Sequence, residues 1–230
     1  MKVRRAGRKT ATPRRKAAAV PEGPARERIL AAALEIFAER GFDGARTREI
    51  AERAGANLGL LTYYFGGKEP LWRAAVSHAF AELTTEIAAV TAQARSEAGG
   101  DERTELEQLL RGFVRFLARR PEFMRLMNDE SKHDGPRMRW LADHHVKPLS
   151  GAIARVVEQA QKRGLAPAIP LVSFHYIVIG AAGLFFSQAP ECRYVTGIDP
   201  TDEAVAEAHA DAVVRLLLGP RSTSPRQLGG

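Results

Sequence analysis

Residues 47–68, TREIAERAGANLGLLTYYFGGK, constrain this chain more than any other stretch. They read as two short helices pivoting on a glycine. Thr47 can cap the first, its hydroxyl accepting a hydrogen bond from a free N–H of the first turn. Ile50, Ala51 and Ala54 give that helix an apolar stripe, and Ala51 is small enough to let another helix approach closely. Gly55 can take the turn that ends it. Asn57 is a good N-cap for a second helix, on which Leu61 and Phe65 share a face at i and i+4. The opposite face carries Leu58, Gly59, Thr62 and Tyr63, which are small, hydroxylated or aromatic and uncharged. This is the pattern of a helix-turn-helix, whose second helix enters the major groove of DNA. An Ala-Gly pair between two amphipathic helices is a weak signal alone, so the flanks decide.

Upstream, residues 27–41 (ERILAAALEIFAERG) form an amphipathic pattern closed by Gly41 and followed by Phe42-Asp43-Gly44. Its Ile29, Leu30, Ala33, Leu34, Ile36 and Phe37 make a wide apolar face suited to covering the two short helices. Downstream come Tyr63-Tyr64-Phe65, two glycines, Lys68-Glu69 and Leu71-Trp72. In the elements IL, AA, L, F, ERGFDG, T, EIAERAGAN, G, L, YYF, GKE and LW, residues 27–75 resemble the tetracycline-repressor (TetR) family of bacterial transcription regulators. Beyond residue 75 the likeness rests on helix layout.

With no β-strand alternation along it, the chain reads as all-α with about nine helices, and the resemblance adds their division. A three-helix DNA-binding domain (25–70) would precede a helical effector-binding and dimerisation domain (71–219). Position by position, it implies that Leu58, Gly59, Leu60 and Tyr63 face base edges, with Arg48 reaching toward them. Thr47, Thr62, Tyr64 and Lys68 would hold phosphates, which fixes register without reading sequence. Two positions depart from the family pattern: Leu60 stands where a small hydroxyl residue is common, and Thr62 where tyrosine is common. Arg46 and Arg48 flank Thr47 at a helix start, unfavourable for the helix dipole but well placed for a phosphate or base edge. Asn57, opening the reading helix, joins this group.

Charge divides the chain in the same way. Of the net +7, residues 1–20 alone carry +8 with no acid, leaving −1 for the rest. A like-charged, apolar-poor segment cannot bury enough surface to fold alone, so 1–24 is expected to be a disordered basic arm. It is either an arm tracking DNA phosphates or the minor groove, or a solvated extension with no fixed contact. The N-terminus has no apolar signal-peptide core, and no run approaches the roughly 20 apolar residues of a membrane span. The single Cys192 fits a reducing cytoplasm.

After residue 68 a long helix is expected to about residue 98. It is followed by helices over 102–120, from Pro121, over 136–163 with a kink near Pro148, over 170–189, and over 201–218, with a loop at 190–200 and a loose tail at 220–230. No metal, nucleotide or hydrolase motif is present. His144 and His145 are adjacent on a helix and point about 100° apart, so no metal site or cofactor is expected. Phe113, Phe116, Phe123, Met127 and Trp140 are bulky, with Asn128, His144 and His175 among them in sequence. A mostly apolar pocket with a few polar anchors is how small-ligand sites are built, and the family binds effectors in this region. Residues 177–186 (IVIGAAGLFF) are apolar all round, which suggests a second covering by protein. With Val205, Ala208, Ala212 and Leu216 on one face of the last helix, Ile177, Ala181 and Leu184 would form a four-helix homodimer interface.

The function expected is a cytoplasmic, ligand-responsive repressor, a homodimer that binds a palindromic operator in double-stranded DNA and is released by a small hydrophobic effector. The competing reading is a small-molecule carrier or enzyme whose basic tail binds anions nonspecifically.

Overall fold

The structure, a computed structural model, describes residues 23–97 and 101–220, among which there is no strand. Eleven α-helical segments follow one another: α1 Pro24–Gly44, α2 Thr47–Arg53, α3 Leu58–Phe65, α4 Lys68–Glu97, α5 Glu102–Arg119, α6 Pro121–Glu130, α7 Pro136–Leu141, α8 Lys147–Lys162, α9 Leu171–Ser187, α10 Ala189–Thr196 and α11 Glu203–Leu218. One π-helical turn, Ala142–Val146, joins α7 to α8 without a break, so the described residues make ten separate helices. The basic arm and the C-terminal tail expected from the sequence lie, but for their innermost residues, outside the described residues.

Three local expectations need correction. Arg46, not Thr47, occupies the N-cap of α2, since its carbonyl accepts the Ile50 N–H at 3.1 Å and its backbone is extended. Thr47 is the first helical residue, one position too late to cap. Residues 190–200 are not all loop: Pro190 sits in the first turn of α10, where its missing N–H is tolerated, and Gly197 at φ 73° ends the helix. Pro148 produces a π turn rather than a simple kink. Lacking an N–H it leaves the His144 carbonyl without its usual donor, and the ladder shifts so that Lys147 N–H bonds the Ala142 carbonyl.

The first three helices pack on the N-terminal part of α4. Ile29, Ala33, Ile36 and Phe37 of α1, Ile50 and Ala51 of α2, Leu61 and Phe65 of α3, and Leu71 and Trp72 of α4 are all buried. Burying side chains of this size stabilises the unit by roughly 1.5–3 kcal/mol each, before conformational entropy is set against it. Helix α4 then continues for 30 residues, about 45 Å at 1.5 Å per residue, and carries this core into the second one. There α5 packs between α4 and α11, while α6 packs between α1 and α9. Arg115 grips Glu207 of α11 through two hydrogen bonds of 2.6 and 2.8 Å. Arg103 donates to the carbonyls of Leu218 and Gly219, which satisfies the free end of α11. Gly183 lies in the stretch 177–186 expected to be covered by a second subunit. It is instead buried against α6, where a Cβ would lie 2.8 Å from the Met124 methyl.

Candidate nucleic-acid interface and ligand cavity

Helix α3 is held by its own cap and by α1. The Asn57 side chain accepts the Leu60 N–H at 2.7 Å, so Asn57 is committed to starting the helix. Gly66, at φ 76°, ends it. Gly55, at φ 61°, makes the turn between α2 and α3 in a conformation that L residues rarely adopt. The Arg28 guanidinium reaches from α1 to the Ala54 carbonyl at 3.3 Å. Arg53 bonds Glu39 at 2.7 and 3.1 Å, and this hydrogen-bonded cation holds the Glu39 carboxyl below the usual carboxylate range.

With Leu61 and Phe65 turned inward, the opposite face of α3 is left to solvent. Leu58, Gly59, Thr62 and Tyr63 are exposed, Tyr63 to 64%. Leu60 and Tyr64 are half-buried, and the Tyr63 and Tyr64 rings meet edge-on at 5.6 Å. The Thr62 hydroxyl donates to the Leu58 carbonyl, keeping its lone pairs outward. Arg46 and Arg48 are exposed, Arg48 lying 3.9 Å from Glu52. Lys68 opens α4, and its ammonium donates to the Asp43 carbonyl at 3.1 Å and sits 4.8 Å from the Phe42 ring centre. An exposed, uncharged face flanked by cations suits groove insertion between two phosphate backbones.

The second body encloses a cavity of about 430 Å³. Of the residues named from sequence, Phe113, Phe123, Met127, Asn128 and His175 line it, whereas Phe116, Trp140 and His144 do not. Phe116 lies behind Phe123, edge-on at 5.4 Å. Trp140 faces α4, edge-on to Trp72 at 5.7 Å and under the Arg73 guanidinium at 5.1 Å. His144 stacks on the exposed side of Trp140. His145 meets the Trp140 ring edge-on at 5.2 Å but stacks on Phe80 and pairs with the Ser77 hydroxyl, and burial lowers its pKa. Sequence reasoning missed the wall contributed by Phe80, Leu83 and Ile87 of α4 and Leu149, Ile153 and Val157 of α8. Their three- and four-residue spacing was visible, but spacing shows that a face is buried without showing that it borders a space.

Head and cavity meet at one junction that the sequence did not flag. Phe42, just past the non-helical Gly41 in the last turn of α1, stacks on Phe37 and meets Trp72 edge-on. The Arg137 guanidinium of α7 lies 4.0 Å from the Phe42 ring centre and donates to the Glu130 carboxylate at 2.9 Å. Glu130 is only 3% exposed. Its sequence neighbour Ser131 and Arg137's neighbour Met138 both line the cavity.

The face expected to meet a second subunit is open in the single chain. Ile177, Leu184, Ala208, Ala212 and Leu216 are exposed, Leu216 to 72%, while Ala181 and Val205 are half-buried. Val195 of α10, also exposed, lies beside Leu184.

A short helix-turn-helix on a long connecting helix, joined to an all-α body with a cavity, defines a DNA-binding transcription regulator. The comparisons agree. Residues 29–75 match the model of bacterial regulatory proteins of the tetR family, and residues 103–217 match a tetracyclin repressor-like C-terminal domain. The chain belongs to the tetR family. It is 29% identical over 170 residues to the HTH-type transcriptional repressor NicS of Pseudomonas putida, spanning 70% of this chain and 75% of that protein. It is 52% identical over 50 residues, 22% of each chain, to the dual regulator CecR of Shigella flexneri. In fold it is similar to a putative transcriptional regulator, SCO4942, from Streptomyces coelicolor, with a TM-score of 0.61 and 24% identity over 85% of this chain and 99% of that one. It is also similar to the fatty acid degradation regulator FadR from Bacillus halodurans, with a TM-score of 0.62 and 17% identity over 85% and 97%. No single helix among the described residues is long and apolar enough to cross a membrane.

Proposed function

We propose that this regulator is a cytoplasmic repressor that binds a palindromic operator as a homodimer and leaves it when a small hydrophobic effector fills the cavity. The observation that carries this reading is the continuity of α4. It opens at Lys68, three positions after the end of α3, and its Phe80, Leu83 and Ile87 form one wall of the cavity. An effector that alters the tilt of α4 therefore moves the reading helix. In the dimer, Ile177, Ala181 and Leu184 of α9 and Val205, Ala208, Ala212 and Leu216 of α11 pack on their two-fold copies. The two α3 helices then enter successive major grooves, so operator symmetry mirrors protein symmetry. Leu58, Gly59, Leu60 and Tyr63 read base edges, with Leu58 and Leu60 contacting thymine methyls. Arg46, Thr47, Arg48, Thr62, Tyr64 and Lys68 hold the flanking backbone. Effector coupling of this kind is typically worth about 1–3 kcal/mol.

The test is selection of duplexes from a random pool, followed by titration of the selected DNA with and without hydrophobic extract fractions. A two-fold symmetric consensus released by one fraction is the expected outcome. Selection of sequences without symmetry, or binding to all duplexes alike, would refute the operator reading.

A further inference from the structure

Resting on the reading of the cavity as an effector site, we infer that its ligand is an uncharged lipophile with a single hydroxyl or carbonyl oxygen, that oxygen being held by His175 and the hydrocarbon lying along α8. Among the described residues, no Asp, Glu, Lys or Arg lines the cavity. A carboxylate or ammonium placed there would lose its hydration without gaining a counter-charge. Three of the polar side chains in the wall already make a hydrogen bond. The Ser131 hydroxyl donates to the Asn128 carbonyl and the Ser150 hydroxyl to the Lys147 carbonyl. The Asn128 amide donates to the Ser187 hydroxyl at 3.4 Å. His175 makes no hydrogen bond to another described residue; its ring only meets that of Tyr176 edge-on at 5.2 Å. Burial lowers the His175 pKa, so at neutral pH the ring is an uncharged imidazole with one donor and one acceptor. Tyr176, lining the cavity yet exposed, places His175 near the rim.

Size and shape follow from the walls. Leu149, Ile153 and Val157 recur every four residues on one face of α8, a strip about 12 Å long. A volume of about 430 Å³, at the roughly 30 Å³ that one water takes up in the liquid, has room for on the order of fifteen water-sized groups. An alcohol or ketone with about ten carbons meets both limits.

The experiment compares 1-decanol, decanoate and decylammonium on the full chain by calorimetric titration at pH 7.5, with operator titration on the same preparation. Decanol is expected to bind at least about a hundredfold more tightly than either ion. Replacement of His175 by phenylalanine (His175→Phe) should weaken decanol about tenfold, and Ile153→Trp should abolish binding by filling the space. Should His175→Phe fail to fold, as judged by circular dichroism, the wild-type comparison among the three probes still decides. Decanoate binding as well as decanol, or failure of all three probes to bind, would overturn the inference. Operator binding that persists in either case leaves the regulator reading standing. Decanol binding without DNA release would support this ligand class and refute induction.

Discussion

Replacing Arg137 by methionine should expose how the two halves of this protein are held together. Glu130 is 3% exposed, and one of its oxygens, Oε2, has no hydrogen-bond partner among the described residues. The other is bonded by Arg137 at 2.9 Å. Arg137→Met strips the cation and leaves a buried carboxylate uncompensated, which typically costs about 3–5 kcal/mol. Arg137's own side chain keeps 24% of its surface in water, so the low end, about 3 kcal/mol, is expected. Loss of the cation over Phe42 adds about 0.5–1 kcal/mol. At roughly 2–4 °C per kcal/mol for a chain of this length, the melting temperature should drop by about 7–16 °C. The double replacement Glu130→Met with Arg137→Met removes both charges and fills the same space with apolar atoms, an exchange that is often neutral. It should melt within about 4 °C of the parent, reflecting only the lost cation–ring contact. Circular dichroism melts of the parent, both singles and the double close the cycle. If the double falls as far as Arg137→Met, or Arg137→Met melts with the parent, the buried pair is not what ties α6 to α7 and Phe42. Because Lys68 lies on the same ring, Arg137→Met should also weaken operator binding.

Tyr63→Ala should cost about 1–3 kcal/mol of operator affinity and relax base preference, whereas Lys68→Ala should weaken all duplexes alike and flatten the log–log salt dependence by about 0.9. Competition titrations over a salt series separate the two, and wild-type behaviour in both would refute the contact assignment. Ala212→Glu should cost several kcal/mol of association by burying an unpaired charge; an undisturbed dimer in sedimentation would remove α11 from the interface. His209 is stacked on Phe185, with its Nε2 2.8 Å from the Ala181 carbonyl. Burial depresses its pKa below 6.5 despite that bond. A histidine with a depressed folded pKa favours folding fully above its unfolded value and less as pH falls below it. Melting temperature should therefore decline as pH drops below about 6.5, and His209→Gln should lessen that decline. A wild-type melting temperature flat over this range would contradict it.

Local sequence chemistry determined the head of this protein. Asn57 must cap α3 because its side chain can satisfy an orphan N–H; Gly55 and Gly66 must end helices because they accept positive φ. The spacing of Ile50, Ala51, Leu61 and Phe65 leaves Leu58, Gly59, Thr62 and Tyr63 outside, and each of these relations spans only a few residues. The same short-range logic showed that α5, α6, α8 and α9 were apolar and helical. It could not show which apolar faces meet and which border a space. Phe116 and Phe113 lie three residues apart, yet only Phe113 reaches the cavity, because Phe116 is taken up by Phe123 from the next helix. Trp140 is bulky and central in sequence but is drawn onto Trp72 and Arg73, 68 and 67 positions away. Gly183, small enough for any close approach, was claimed by Met124 inside the subunit. The Glu130–Arg137–Phe42 junction has no signature at all, since a buried ion pair is recognisable only once the helices that dehydrate it are in place. Capping and periodicity are properties of neighbouring residues, whereas a cavity, a buried charge and an exposed apolar face depend on how distant helices pack, and that only the tertiary structure decided.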